Sequence, residues 1–352
     1  MLNIIILVSV VLIIAILVTI FRAHTLVQVV KGEKDVVGST SNTVNAVLLV
    51  LFLVGGIILF FGYSYTQFDR YTVPVASEHG EITSKLFWIT TAVTTAAFII
   101  THILLIYFAF KYRYKPEKKA RFYPHNNMLE LIWTVVPAIV LTLLIFSGWR
   151  AWVKITEKAP ANAEVVEIFG YQYAWAARYP GADGKLGPSD YKLIDDDNRL
   201  GVDFSNANST DDFIPREIHI PKGEPVLLKI RARDVIHSVY LPHFRLQMNA
   251  VPGLPTKFWF VPTKSTADMA EETGNPDFQY ELVCNKICGK AHFSMRAIVV
   301  VDEKEDYEKW KAEQKSWLSK NPDYLARIEM SSPVEVVAVE EKKESKEANA
   351  SL

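Results

Sequence analysis

The sequence predicts a membrane-anchored all-β protein, with four N-terminal transmembrane helices followed by an extracytoplasmic Greek-key β-sandwich or barrel. Four long apolar runs fall in the first 150 residues, and short β-branched or aromatic runs separated by Pro, Gly and Asp fill the rest. Half of the 352 residues are hydrophobic, 22% are charged and the formal net charge is -1. This balance favours an anchor joined to a polar domain and argues against a nucleic-acid partner.

The four apolar runs are the candidate membrane helices. Each is close to the roughly 20 residues that cross a bilayer as a helix, and they extend over Leu2 to Ile20, Ala46 to Tyr63, Leu86 to Phe110 and Leu131 to Ser147. The first run lacks the positive start and the cleavage site of a signal peptide, so we expect it to be retained. Positive charge lies in residues 111–121, "KYRYKPEKKAR", and at Arg22, Lys31 and Lys34. The positive-inside rule therefore places both loops in the cytoplasm and both chain ends outside it.

The β-rich part begins near Ile155. Its strand-like runs are "EVVEIFGYQYAWAARY", "REIHI", "PVLLKIRA", "TKFWFVP", "FQYELV" and "RAIVVV". Residues 181–212 are low in hydrophobicity and predict a long exposed insertion. Beyond Val301, Tyr307, Trp310 and Trp317 fall on one face of a predicted helix, and the charged tail that follows predicts disorder.

Metal-binding side chains are concentrated in "CNKICGKAHFSM", residues 284–295, which holds the only two cysteines of the chain. Cys284, Cys288, His292 and Met295 offer thiolate, imidazole and thioether donors, a set that suits copper. An iron–sulfur cluster needs more cysteines, and the C-x-x-C-H spacing of covalent haem attachment is absent, which excludes a haem c. By spacing alone, the two cysteines remain metal ligands, a disulfide or free thiols.

A copper site in this loop needs at least one further ligand from elsewhere. His237, in "RDVIHSVYLPHF", is the candidate, because we expect it at the end of a strand and before the Pro242 turn. His243 competes with it, but its position predicts a surface turn residue. His219, in "REIHI", is expected only to occupy one of the alternating positions of a strand and not to bind the metal.

Four motifs between Leu129 and Met295 resemble subunit II of the haem-copper cytochrome c oxidases. They are "LELIWTVVPAIVL", "GYQYAW", "DVIHS" and the C-x3-C-x3-H-x2-M loop, in a layout that matches from about Glu78 to Trp310. The resemblance implies a cupredoxin-like β-domain with a binuclear copper centre, CuA. It implies that Cys284 and Cys288 bridge two coppers, that His237 and His292 cap them, and that the Met295 sulfur and the Lys286 backbone carbonyl are weak axial ligands.

The same resemblance implies an electron-entry subunit in a bacterial cytoplasmic membrane, with the CuA domain on the periplasmic side. Electrons from a c-type cytochrome would pass to the haems of subunit I, where oxygen reduction is coupled to proton pumping, so the enzyme is the whole complex with its other oxidase subunits. Tyr173 stands where the family has the tryptophan that receives the electron, and Trp175 matches a later tryptophan. The alternative is that both rings only pack the sandwich. Glu130 matches a glutamate at the mouth of the proton pathway, although the helix macrodipole alone favours a carboxylate there.

Lys286 departs from the family pattern, which has a glutamate whose carboxylate helps hold magnesium at the subunit I interface. An ammonium group has no lone pair to offer a metal, so the Lys286 side chain cannot serve as a ligand in that magnesium site. Aspartates that include Asp195, Asp196 and Asp197 would attract a basic cytochrome c, or serve only as a solvated loop. His102, inside the third apolar run, predicts a neutral side chain hydrogen-bonded between helices.

These inferences divide the chain into four parts: two extra helices (1–64), a two-helix anchor (65–154), the CuA domain (155–302), and a C-terminal helix with a charged tail (303–352). Two other hypotheses are kept. A quinol oxidase subunit would share the anchor and sandwich but normally lacks the CuA ligands. A structural module would instead join Cys284 to Cys288 in a disulfide, which an oxidising compartment permits.

Overall fold

The computed structural model describes residues 2–32, 39–115 and 117–331. Lys34 and the charged tail from residue 332, about which the sequence makes predictions, lie outside the described residues. The chain divides into two compact units. The first is formed by Met1–Thr72 and Trp88–Leu143, and the second by Val73–Phe87 and Leu144–Leu352.

Long apolar helices form the N-terminal part, as predicted. The helices are α1 (Leu2–Val30), α2 (Ser39–Thr66), the short α3 (Phe68–Tyr71), α4 (Glu78–Lys111) and α5 (Asn127–Thr156). By length and composition α1, α2, α4 and α5 can each cross a membrane. The side chain of Asn126 accepts a 3.0 Å hydrogen bond from the backbone N–H of Leu129, and so caps the start of α5.

The second unit carries two β-sheets. The strands are β1 (Glu164–Tyr171), β2 (Ala174–Arg178), β3 (Ile218–Pro221), β4 (Val226–Ala232), β5 (His237–Leu241), β6 (Leu246–Ala250), β7 (Thr256–Phe260), β8 (Tyr280–Cys284) and β9 (Arg296–Asp302). One sheet has the order β2-β1-β4-β7 and the other β3-β9-β8-β5-β6, with β1/β4 and β3/β9 parallel. The predicted fold class is confirmed, as a two-sheet sandwich. Strands β5 and β6 are not among the predicted runs.

The core lies between the two sheets. Along β4, Val226, Leu228 and Ile230 are buried while the residues between them face outward, which is the alternation of a strand with one face on a core. Val239 on β5 belongs to the same apolar cluster, as do the two cysteines. Residues 284–295, called the ligand loop below, are therefore held at the edge of a packed interior.

A second apolar cluster covers the outer face of β1. Leu200, Val202 and Phe204 are buried against Phe169 and against Leu318 from the C-terminal region. The prediction that residues 181–212 form an exposed insertion is wrong for these residues, because a few apolar side chains spaced among Asp and Asn are enough to fasten the loop.

A buried ion-pair network also fastens the insertion. Arg178, which is 1% exposed, contacts Glu167 at 2.8 Å and Asp212 at 2.9 Å. Burial leaves this arginine no water to bind, so it depends on both carboxylates.

Three short helices follow the sandwich: α7 (Lys304–Ala312), α8 (Trp317–Lys320) and α9 (Pro322–Ser331), while α6 (Thr266–Thr273) connects β7 and β8. Trp310 on α7 stacks on His219 at 4.2 Å, whereas Trp317 begins α8 and stacks on Phe204 at 4.5 Å. The predicted single helical face is wrong, because residues 313–316 break the helix and the two tryptophans serve different clusters.

His102 also differs from expectation. Its Nδ1 lies 2.8 Å from the carbonyl oxygen of Phe98, one turn earlier in α4. The histidine therefore hydrogen-bonds within its own helix and not between helices.

Candidate metal centre

The loop between β8 and β9 carries most of the predicted ligands. Cys284 is the last residue of β8 and Met295 immediately precedes β9. The backbone N–H of Cys284 donates to the carbonyl of Met295 at 3.1 Å, which closes the loop at its base. The chain between these two residues is thus a closed hairpin loop anchored on both sides by strands.

Strand pairing brings His237 to this loop. Val239 of β5 pairs with Cys284 of β8. Because residues two apart on a strand share a face with each other and with their partner, His237 lies on the same interior side as Cys284. His237 begins β5 and does not end a strand as expected, and its side chain is fully buried.

The side chains converge around the two sulfur atoms. Cys284 Sγ and Cys288 Sγ are 3.9 Å apart. His237 Nδ1 lies 3.8 Å from Cys284 Sγ, and His292 Nδ1 lies 3.5 Å from Cys288 Sγ.

Two weaker donors complete the cluster. The carbonyl oxygen of Lys286 is 3.2 Å from Cys284 Sγ, and Met295 Sδ is 3.7 Å from Cys288 Sγ. Both cysteines are free and buried, and Met295 is 1% exposed. Soft sulfur donors with two imidazoles suit copper, so the residues present fit that metal. The Lys286 side chain itself points to solvent and contributes no donor.

Asp234 fixes the orientation of His237. Its Oδ1 lies 2.9 Å from His237 Nε2. An ionised carboxylate only accepts, so Nε2 carries the proton and Nδ1 presents its lone pair to the sulfur cluster. Although partial burial raises the pKa of Asp234, hydrogen bonds from the Gln172 backbone N–H, from His237 and from the Val235 backbone N–H hold this pKa below its ordinary value.

The thiol of Cys288 begins protonated. Burial, together with the neighbouring Cys284, raises the pKa of the Cys288 thiol to about 11. Because the thiolate is the ligand, a metal that enters this site must displace that proton.

Tyr173 and Trp175 stand at different distances from the surface. Tyr173 is 37% exposed, and its hydroxyl accepts a 3.2 Å hydrogen bond from the Lys290 backbone N–H in the ligand loop. Trp175 is 8% exposed and meets the His237 ring edge-on, with ring centroids 5.8 Å apart. One ring therefore lies over the loop, and the other packs the core beside a candidate ligand.

Two glycines make this packing possible. A Cβ on Gly170 would lie 2.7 Å from Trp175 Cζ3 and 3.2 Å from His237 Cδ2. Gly289 has φ +136°, and a Cβ there would lie 2.4 Å from the Tyr173 hydroxyl oxygen. Sequence reasoning did not identify the glycines or the roles of Asp234 and Gln172, whose side-chain amide donates to the Cys288 carbonyl. The carboxylate three residues before a ligand histidine was the available signal for Asp234.

The remaining candidates lie outside this cluster. His243 occupies a turn but is half-buried rather than on the surface, with its ring edge against Phe278 and Tyr280. Burial, aided by Arg245, lowers the pKa of His243 to about 4. Glu130 is exposed in the first turn of α5.

Comparison with known proteins identifies the family. Family models match residues 63–150 as "Cytochrome C oxidase subunit II, transmembrane domain" and residues 164–302 as "Cytochrome C oxidase subunit II, periplasmic domain". The alternative cytochrome c oxidase subunit 2 of Bradyrhizobium diazoefficiens is 33% identical over 278 residues, covering 77% of this chain and 93% of the relative. Cytochrome c oxidase subunit 2 of Cereibacter sphaeroides is 27% identical over 258 residues, covering 70% and 78%.

Solved structures also match. The periplasmic domain of subunit II of cytochrome oxidase from Bradyrhizobium japonicum is 23% identical, with a TM-score of 0.30, and the match covers 44% of this chain and 95% of that one. Helices of membrane-spanning length precede residues 164–302, which match the periplasmic-domain family model. The motifs, the two family models and the relative at 33% identity agree, and the chain belongs to the cytochrome c oxidase subunit II family.

Proposed function

We propose that this chain is the electron-entry subunit of a cytochrome c oxidase and that it holds a binuclear copper centre of the CuA type. The proposed ligands are His237, Cys284, the Lys286 carbonyl, Cys288, His292 and Met295. The chain receives electrons from a c-type cytochrome and passes them to the haems of subunit I, where oxygen is reduced to water and protons are pumped.

The observation that supports two coppers rather than one is a second cysteine with a second imidazole beside it. Each sulfur has its own imidazole, at 3.8 Å for Cys284 and 3.5 Å for Cys288, and its own weaker donor, at 3.2 and 3.7 Å. A mononuclear blue-copper site uses a single cysteine. The second cysteine, with its own histidine, supports a second ion.

Two copper ions held by these ligands would accept one electron at a time and share it through the two sulfurs. The chain's own residues prepare the site for this exchange. Burial of Cys284, Cys288 and Met295 excludes water, and Asp234 keeps the His237 ring in one tautomer. Two packed sheets restrain the ligands, so little rearrangement accompanies a change in charge.

Tyr173 and Trp175 are the proposed electron-entry residues. Tyr173 is the more exposed ring and touches the ligand loop, whereas Trp175 touches His237. A donor that docks over Tyr173 would therefore reach the copper ligands through one or two side chains. Glu130, at the start of α5, is the proposed entrance of the proton pathway into subunit I.

The proposed setting is a bacterial cytoplasmic membrane with the copper domain on the periplasmic side. The four-part division at residues 64, 154 and 302 is the proposed functional organisation, and other oxidase subunits surround the anchor. We propose no magnesium site at Lys286, because its ammonium cannot ligate a cation.

Copper content and electron paramagnetic resonance of the full-length chain, purified in detergent and reconstituted with copper, test the proposal. We expect two coppers per chain and one unpaired electron shared between two equivalent nuclei. Cys288→Ser should hold at most one copper and lose the shared-spin signal, while Ser294→Ala, in the same loop, should retain both. A single copper in the unchanged protein would contradict the binuclear proposal, and a Cys284–Cys288 disulfide without copper would support a structural module.

A further inference from the structure

A cavity of about 820 Å³ opens between α2 and α4 in the first unit. Its inner wall is apolar and is formed by Val50 and Val54 on α2 and by Ile103 and Ile106 on α4. From Ile103 to Phe110 the wall rises about 10 Å along α4. The cavity is therefore an apolar slot of acyl-chain character at one end of the helix pair.

The rim of the slot is strongly basic. Lys111, Arg113, Lys115 and Lys118 line it, all from the end of α4 or the loop that follows. Residues 111–121 contain six Lys or Arg and one acidic residue, Glu117. Within the described part of the chain, no ion pair to a carboxylate is formed by any of the four rim cations.

Polar contacts fasten this rim to α2. Asn42 donates to the Tyr114 carbonyl at 2.9 Å, and Arg113 Nε donates to Thr43 Oγ1 at 3.4 Å. The contacts bring the N-terminal turn of α2, where the helix dipole favours an anion, to the same end of the slot. The positive-inside rule places this end at the cytoplasmic surface.

We propose that this slot binds one anionic phospholipid, with its phosphate among the four rim cations and an acyl chain between α2 and α4. A basic pocket between transmembrane helices at the cytoplasmic side is suited to such a headgroup, because the cations lie at headgroup level and the wall below lies in hydrocarbon. The family match begins at residue 63, so α2 lies almost entirely outside it. The site is accordingly a property of the additional helix and is independent of the copper proposal.

The test is native mass spectrometry of the full-length chain in detergent, titrated with dioleoylphosphatidylglycerol. The double variant Lys115→Gln/Lys118→Gln removes two rim charges and should weaken binding about 25-fold, at roughly 5-fold per charge. The matched control is Lys119→Gln/Arg121→Gln, which removes the same charge from the same loop but from residues that do not line the slot. It should change binding by less than about 2-fold.

Two further arms separate the lipid from other occupants. Val54→Trp fills the slot without changing charge and should also abolish the bound lipid. Dioleoylphosphatidylcholine should bind far more weakly, and inorganic phosphate should not displace the lipid. Equal weakening by both double variants, equal binding of the zwitterionic lipid, or displacement by phosphate would each overturn the proposal.

Discussion

Replacing Asp234 by asparagine tests how the protein prepares His237 for copper. Asp234 accepts hydrogen bonds from His237 Nε2 at 2.9 Å and from the Val235 backbone N–H at 2.8 Å through one oxygen, and from the Gln172 backbone N–H at 2.8 Å through the other. Asparagine offers one acceptor oxygen in place of two. The amide nitrogen, which is itself a donor, therefore replaces one of the two oxygens and faces an N–H group that has lost its acceptor.

The magnitude follows from which donor loses its acceptor. A part-buried N–H left unsatisfied costs about 1–3 kcal/mol of stability. If the amide nitrogen faces His237, the imidazole proton is favoured on Nδ1, the atom that should bind the metal. Loss of such an orienting partner lowers metal affinity about 10- to 100-fold, or roughly 1.4–2.8 kcal/mol.

Competition for copper against a chelator of known affinity, on the full-length chain in detergent, measures this loss. The matched control is Asp302→Asn, because Asp302 pairs with His219 Nδ1 at 2.7 Å in the same way, at the end of β9 far from the ligand loop. The control should lose stability and keep its copper affinity. Wild-type copper affinity in a folded Asp234→Asn protein would refute the orienting role of Asp234.

Three further predictions concern packing, charge and pH. Gly170→Ala should shift Trp175 and His237, because the new Cβ would lie 2.7 Å from the tryptophan ring. We expect the variant to be less stable by about 1–3 kcal/mol and its copper spectrum to change. An unchanged copper spectrum would contradict the close approach. Arg178→Met should lower the unfolding free energy by about 3–5 kcal/mol, because it leaves the buried Asp212 without a cation, while Glu167 keeps its ion pair with Arg231 at 2.8 Å. Arg327→Met, at an exposed pair, should change it by less than about 1 kcal/mol, and equal effects in denaturant titrations would refute the buried network. His243 has a folded pKa of about 4, below its unfolded value of 6.5, so its contribution to stability is complete above pH 6.5 and is lost as the pH falls towards 4. Denaturant titrations at pH 7 and pH 5 measure how much unfolding free energy is lost between the two pH values. That loss should be smaller in His243→Gln than in the unchanged protein, by about 1–2 kcal/mol after solvent screening. Identical losses would contradict the lowered pKa of His243.

The grouping of the candidate donors was predictable because they are close in the sequence. One stretch of twelve residues contains Cys284, Cys288, His292 and Met295. Their proximity therefore does not depend on how the rest of the chain folds. The long apolar helices were predictable for the same reason, since a bilayer dictates their length and composition. His237 was identified as a residue, but its place at the start of β5 depends on a strand pairing that no local pattern reveals.

The second apolar cluster was not predictable from local patterns. Leu200, Val202 and Phe204 stand in a stretch dominated by Asp, Asn and Gly, where average hydrophobicity is low. They are buried only because α8 and the outer face of β1 approach from distant parts of the chain. Gly170 is likewise inconspicuous in sequence, and its importance depends on the two rings that pack over it.

The closed hairpin between β8 and β9 would make the metal specificity of the proposed centre modular. Five of the six proposed ligands belong to residues 284–295, and the scaffold adds only His237. The β8/β9 pairing and the backbone hydrogen bond from Cys284 to Met295 mark where the loop starts and stops. If the proposed centre is correct, changes within that boundary would alter how many metal ions are bound while the strand pairs outside the loop are retained.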